Sequence, residues 1–180
     1  MKFIPLPLAG AFRIDCHGAQ DSRGSFERTF CEREFAGAGI DFRIVQSNVS
    51  RNVKRGTLRG MHYQAAPHAE AKLLWCSHGS VYDVLVDLRK TSPTFLRWCS
   101  VELHGSTSEV LFAPAGIAHG YVTLADDTEL VYLMSNFYEP SAARGVRWND
   151  PTLNIAWPVT NPILSEKDAG YPDFDPKAAE

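Results

Sequence analysis

The stretch Gly56-Thr57-Leu58-Arg59-Gly60-Met61-His62-Tyr63-Gln64 sets a guanidinium, an imidazole and a primary amide into a short apolar run. Imidazole is the side chain whose ordinary titration lies near neutrality, so it suits proton transfer. Guanidinium offers forked donors to phosphate or carboxylate oxygens. In a regular strand Leu58, Gly60, His62 and Gln64 share one face, and Arg59, Met61 and Tyr63 share the other. If Arg59 and His62 serve one site, the pleat must break between them. Gly60 is the residue type that permits this, so a bulge is predicted there. The plainer reading of His62 is a core histidine satisfied by backbone.

The elements that must hold these groups are mostly strands. The runs Ile44 to Ser50, Lys72 to Cys76, Ser80 to Leu88, Trp98 to Leu103, Glu109 to Ala113, His119 to Leu124 and Glu129 to Tyr138 are short and rich in β-branched or aromatic residues. Turn signals such as Ser77-His78-Gly79 and Ser92-Pro93 separate them. Such a pattern predicts a sandwich or barrel rather than alternating β-α units. One short helix is expected over Phe30 to Ala38, ended by Gly37 and Gly39, and one helical turn at Ser165-Glu166-Lys167-Asp168. The Pro-rich tail from Asn149 is expected to pack on the barrel.

The chain has 180 residues, enough for one domain with a sizeable core, and residues 1–180 are read as that domain. A formal charge of -3 argues against general nucleic-acid affinity, so any anion site is a local basic patch for a small ligand. Cys16, Cys31, Cys76 and Cys99 form no Cys-x-x-Cys pair, and reduced thiols are expected. The apolar run from Phe3 to Phe12 contains Pro5 and Pro7, is too short to span a bilayer and lacks a signal-peptide pattern. A cytoplasmic location without membrane contact is the expectation.

Two spacings sharpen the fold. Gly56 is followed after five residues by His62, with Glu70 and Gly79 downstream, and Pro114-Ala115-Gly116-Ile117-Ala118-His119 reads Pro-x-Gly-x-x-His. Together they resemble the two cupin motifs. They imply an all-β, cupin-type double-stranded β-helix (jelly-roll) barrel with a few short helices. Cupins normally carry His-x-His in the first motif, where this chain has Gln64. His62, Glu70 and His119 could supply three ligands to a transition metal, as in a metal-dependent dioxygenase or isomerase. A neutral amide replaces the fourth poorly, so metal-free acid–base work without a cofactor is the expectation.

A wider set of residues carries a family resemblance: Asp21-x-Arg23-Gly24-x-Phe26, Gln46-x-Asn48-x-Ser50, Leu58 to Gln64, Lys72-Leu73, Val81-Tyr82-Asp83-Val84, Asp87-x-Arg89, Ser92-Pro93-Thr94-Phe95, Pro114-x-Gly-x-Ala118-His119-Gly120, Trp148-Asn149-Asp150-Pro151, Trp157-Pro158 and Leu164-Ser165-x-Lys167-Asp168. In this order they resemble the dTDP-4-dehydrorhamnose 3,5-epimerases and related nucleotide-sugar epimerases. The resemblance implies a homodimer acting on a 4-keto-6-deoxy sugar carried by a nucleoside diphosphate. It assigns His62 as base, Asp168 as the carboxylate orienting it, Lys72 beside the keto oxygen and Tyr132 as proton donor. Arg23 and Arg59 match diphosphate contacts, Gln46, Asn48 and Lys167 nucleotide or sugar contacts, and His119 a substrate contact. Tyr138 matches the aromatic stacked on the base, with Phe26 assisting. Domain-swapped N-terminal strands in the family would carry Arg23 to the partner's site. Each has a bland alternative: a snorkelling Lys72, a packed Tyr132 or His119, a solvated Asp168.

Three positions depart from the family pattern. Arg28 and Ala143 stand where glutamates are usual, and Leu133 where a lysine is usual. The expectation is therefore epimerisation at carbon 3, carbon 5 or both, with the nucleotide thymidine-, GDP- or CDP-linked. A non-catalytic sugar-binding cupin is the remaining alternative.

Overall fold

The computed structural model describes residues 1–176. Its strands are β1 (Lys2–Pro5), β2 (Phe12–Asp15), β3 (Ala19–Asp21), β4 (Gly24–Phe26), β5 (Gln46–Asn52), β6 (Leu58–Gln64), β7 (Lys72–His78), β8 (Ser80–Asp87), β9 (Trp98–His104), β10 (Glu109–Ala113), β11 (Ile117–Thr123), β12 (Thr128–Met134) and β13 (Ala143–Gly145). Two short helices, α1 (Glu32–Gly37) and α2 (Glu166–Ala169), complete it. A six-stranded antiparallel sheet in the order β1-β2-β10-β7-β12-β5 faces a five-stranded one in the order β13-β6-β11-β8-β9. The predicted jelly-roll barrel is what forms.

Alternation along the strands sorts side chains into three layers. Leu74 and Cys76 of β7 meet Val81 and Leu85 of β8, Leu103 of β9 and Leu130 of β12 in the space between the sheets. Their neighbours point outward. Leu73 joins Ile14, Phe35, Phe42 and Phe112 in an aromatic layer that packs α1 on the six-stranded sheet. On the other outer face Met61, Val84, Val86 and Ala118 are covered by Leu153, Ile155, Trp157 and Phe174, so the tail does pack on the barrel.

Differences from the sequence reading have local causes. The first helix starts at Glu32, not Phe30, because the Phe30 ring turns into the aromatic layer against Phe35 and Phe42. β12 stops at Met134, and Tyr138 lies in the following loop with its backbone N–H donating to Gln46 Oε1. The three-residue β13 was too short to show a period; it pairs with β6 through Ala143↔Gln64 and Gly145↔His62. The helical turn expected at Ser165 to Asp168 forms as α2, with Ser165 capping it by accepting from the Asp168 N–H. All four cysteines are free thiols. Among the described residues no helix is long and apolar enough to cross a membrane.

Candidate active site

The core fills only one end of the barrel. At the other the sheets enclose a cavity of about 370 Å³, lined from β5, β6, β7, β11, β12 and the loops beyond them. Polar groups that alternation turns inward therefore converge: Lys72 beyond Leu74, Tyr132 and Met134 beyond Leu130, His119 beside Tyr121.

On β6 the pleat breaks as predicted. His62 stands opposite His119 and Arg59 opposite Tyr121, so three steps along β6 match two along β11. Gly60, at φ +129°, absorbs the extra residue. Met61 turns out to the outer layer while Arg59 and His62 both line the cavity. The bulge requires close approach, since a Cβ on Gly60 would lie 2.5 Å from Gly120 Cα.

His62 Nε2 lies 2.7 Å from Asp168 Oδ1. That carboxylate, 4% exposed, also accepts from the Gly60 N–H at 3.4 Å. Burial works against its ionisation, but the His62 hydrogen bond and charge, with the Gly60 and Ser165 contacts, outweigh it and hold the carboxyl below its ordinary value. An ionised Asp168 takes the hydrogen on Nε2, which leaves the lone pair on Nδ1. Tyr171 meets the imidazole edge-on, centroids 5.9 Å apart. It lines the cavity and is a residue the sequence reading missed. A Cβ on Gly145 would fall 2.2 Å from Tyr171 Cζ, so the small residue in β13 makes room for the ring.

A second pair lies deeper. His119 Nε2 is 2.8 Å from Asp83 Oδ2, and Asp83 is fully buried. Burial pushes the Asp83 carboxyl upward, against the pull of His119 and Lys72. Lys72, 6% exposed, puts Nζ 2.7 Å from Glu70 Oε1 and 3.5 Å from the His62 carbonyl oxygen. On the six-stranded wall, burial raises the Tyr132 phenol above its ordinary value, only partly offset by the Arg59 charge, so it keeps its proton at neutral pH. Arg59 Nε donates to Asn52 Oδ1 at 2.8 Å.

Gln46, Asn48, Arg59, His119, Tyr138 and Lys167 line the same cavity, with His62, Lys72 and Tyr132. Asp168 sits behind His62 rather than on the lining. Arg23 and Phe26 are not on it. They belong to the exposed β3-β4 hairpin, where Arg23 pairs with Asp21 at 2.6 Å and Phe26 is 82% exposed. The ligand set considered for a metal is not assembled: His62 is turned to Asp168, Glu70 to Lys72 and His119 to Asp83. Among the described residues no three His, Cys, Asp or Glu side chains are grouped to hold an ion. Gln64 instead ties loops together, donating to the His68 and Phe137 carbonyls and accepting from the Glu139 N–H.

The departures sort differently. Leu133 faces the outer aromatic layer, away from the cavity. Arg28 pairs with Glu34 at 2.9 Å, and Glu34 also holds the N-terminal ammonium. Ala143 alone lines the cavity, beside Arg144, whose guanidinium donates back to the Ser141 and Ala143 carbonyls.

A carboxylate-backed imidazole, an ammonium and a protonated phenol around one cavity can remove and return a proton next to a carbonyl. Fold and site together define a cupin-type epimerase, an isomerase. Residues 5–176 match the family model of dTDP-4-dehydrorhamnose 3,5-epimerase, and the chain belongs to that family. It is 46% identical over 155 residues to the dTDP-4-dehydrorhamnose 3,5-epimerase of Shigella flexneri, covering 86% of this chain and 85% of the relative. The Bacillus anthracis enzyme of that name, solved with TDP and PPi bound, superposes with TM-score 0.93 at 39% identity, covering 96% of this chain and 99% of that one. ChmJ, a 3′-monoepimerase from Streptomyces bikiniensis solved with dTDP-quinovose, gives TM-score 0.87 at 38% identity over 94% and 86% of the two chains.

Proposed function

We propose that this chain epimerises a thymidine-diphosphate-linked 4-keto-6-deoxy sugar at carbon 3, carbon 5 or both, with His62 as base. The observation that carries the reading is the 2.7 Å His62–Asp168 pair at the wall of a cavity shared with Lys72 and Tyr132. The Nδ1 lone pair takes the proton from carbon beside the ketone, and Asp168 stabilises the imidazolium that results. The C–H electron pair moves into the ring as the carbonyl pair moves onto oxygen, where the Lys72 ammonium meets the developing charge. His62 rises from β6 and Tyr132 from β12 of the facing sheet, so acid and base address opposite faces of the ring. Return of a proton from Tyr132 inverts the carbon. Arg59 receives the diphosphate and Lys167 contacts the nucleotide or sugar, with Tyr138 against the base at the mouth.

The site is read as completed by a second copy. The β3-β4 hairpin is exposed along its length, and Phe26 on it and Val53 after β5 are 82% and 73% exposed. A homodimer in which this arm lies on the partner would cover these residues and deliver Arg23 and Phe26 to the partner's cavity. The whole chain then acts as one domain, in the cytoplasm, where its free thiols stay reduced.

Solvent deuterium exchange into dTDP-4-keto-6-deoxyglucose, followed by NMR, tests the chemistry. Label at carbon 3 or 5 with inverted product is expected, and none from His62→Ala. Exchange without inversion is expected from Tyr132→Phe. A wild type that binds the sugar without exchange would make it a binding protein. For the arm, Arg23→Ala and His62→Ala are mixed: heterodimers regain one intact site and hence activity, whereas monomers regain none.

A further inference from the structure

Glu70 has no part in the mechanism above beyond its contact with Lys72. It is 5% exposed and lines the cavity. Its Oε1 is taken by the Lys72 ammonium, while Oε2 is buried without a hydrogen-bond partner among the described residues. The other atoms in that condition belong to Arg13, Asp15, Asp83 and Arg147, none of which lines the cavity. A buried acceptor left unpaired costs roughly 1–3 kcal/mol, more when it is charged. A ligand donor recovers this once the Glu70 carboxyl turns Oε2 toward the cavity that the residue lines. The missing partner is a neutral donor rather than a cation, because Lys72 already balances the carboxylate.

We propose that Lys72 and Glu70 together read an α-hydroxy ketone. The ammonium takes the carbonyl oxygen, and Glu70 Oε2 accepts from the hydroxyl on one neighbouring carbon. This rests on the epimerase reading and sharpens it. In a 4-keto-6-deoxy pyranose the two carbons beside the ketone differ: carbon 3 carries a hydroxyl and carbon 5 a methyl. An acceptor on one side of the ammonium therefore admits the ring in one orientation, with carbon 3 toward Glu70. The arrangement also fits the intermediate. When the carbon 3 proton goes to His62, its bonding pair becomes the C3–C4 double bond and the carbonyl pair moves to oxygen 4. The enediolate then holds its negative oxygen against the ammonium and its remaining hydroxyl against the carboxylate.

The test separates binding from turnover. In a His62→Ala background, calorimetry measures Kd for dTDP-4-keto-6-deoxyglucose and for its 3-deoxy analogue, with Glu70 present and as Glu70→Gln. Gln keeps the size and can still accept from Lys72, but offers an amide N–H where the hydroxyl needs an acceptor. With Glu70 the 3-hydroxy sugar is expected to bind at least about tenfold tighter, as for a hydrogen bond to a charged group. With Glu70→Gln the two probes should come within threefold. An equal preference in both proteins overturns the proposal, leaving Glu70 as a tether for Lys72. In parallel, active wild type is assayed for deuterium uptake at carbons 3 and 5 of both sugars. Loss of kcat/KM on the 3-deoxy sugar, absent from Glu70→Gln, supports it. No uptake into either sugar by wild type sinks the epimerase reading itself and this inference with it.

Discussion

His62 and Asp168 are joined Nε2 to Oδ1 at 2.7 Å, although 106 residues separate them along the chain. The carboxylate comes from a one-turn helix whose cap, Ser165, fixes the backbone of Asp168 itself. Replacing Asp168 with Asn keeps the shape but removes the charge and allows the other tautomer. A fall in kcat of about 10²- to 10⁴-fold with little change in KM is expected from steady-state kinetics. An unchanged kcat would show that the carboxylate is merely structural.

Gly60 faces Gly120 so closely that a Cβ would also lie 2.9 Å from the His119 carbonyl oxygen. Gly60→Ala meets backbone there and must also hold a positive φ. A loss of at least about 1–3 kcal/mol in chemical denaturation is expected. The surviving folded protein should lose activity, since Arg59 and His62 would no longer share a face. Full activity at wild-type stability would refute the bulge as the device that joins them.

Tyr171 touches the edge of His62 and is seated over Gly145. An aromatic contact of this kind is worth about 0.5–1.5 kcal/mol, so Tyr171→Ala should lower kcat roughly two- to tenfold by loosening the imidazole. Gly145→Ala displaces the same ring and should reproduce the effect. Thermal denaturation checks that neither variant has simply unfolded. Different effects from the two would mean that the ring does not act on His62.

Asp87 anchors the turn after β8. Its carboxylate meets Arg89, Ser92 and Thr94, and Arg89 reaches on to the Ala9 carbonyl. Burial opposes the charge, but these donors hold the carboxyl down to about 2. A group depressed in the folded state stabilises above its unfolded value and loses that contribution as the pH falls through the folded one. Up to roughly 2 kcal/mol should therefore disappear between about pH 4 and pH 2. Urea denaturation across that range should show a steeper loss in the wild type than in Asp87→Asn, in which only the other depressed carboxylates, Asp168 among them, still contribute.

Much of this was legible because it is local. Short β-branched and aromatic runs located β7 and β12, although β7 runs on to His78 and β12 stops at Met134; Ser165 to Asp168 marked a helical turn, and Gly60 between Arg59 and His62 announced a bulge. Tyr171 gave no signal, being an aromatic in a loop-rich tail whose ring reaches His62 only across β13 in the folded chain. The weight given to Leu133 and Arg28 also changed. Strand parity turns Leu133 outward, and Glu34 neutralises Arg28 away from the cavity.

The order of residue types along the chain determined the barrel and the inventory of reactive groups, because hydrophobic period and turn chemistry act over a few residues. Which groups meet was decided only when the sheets closed. His62 found Asp168, His119 found Asp83, and Lys72 found one oxygen of Glu70 while the other stayed unpaired. Hydrogen bonds and charges act over a few ångströms of space, and only the folded chain sets those distances.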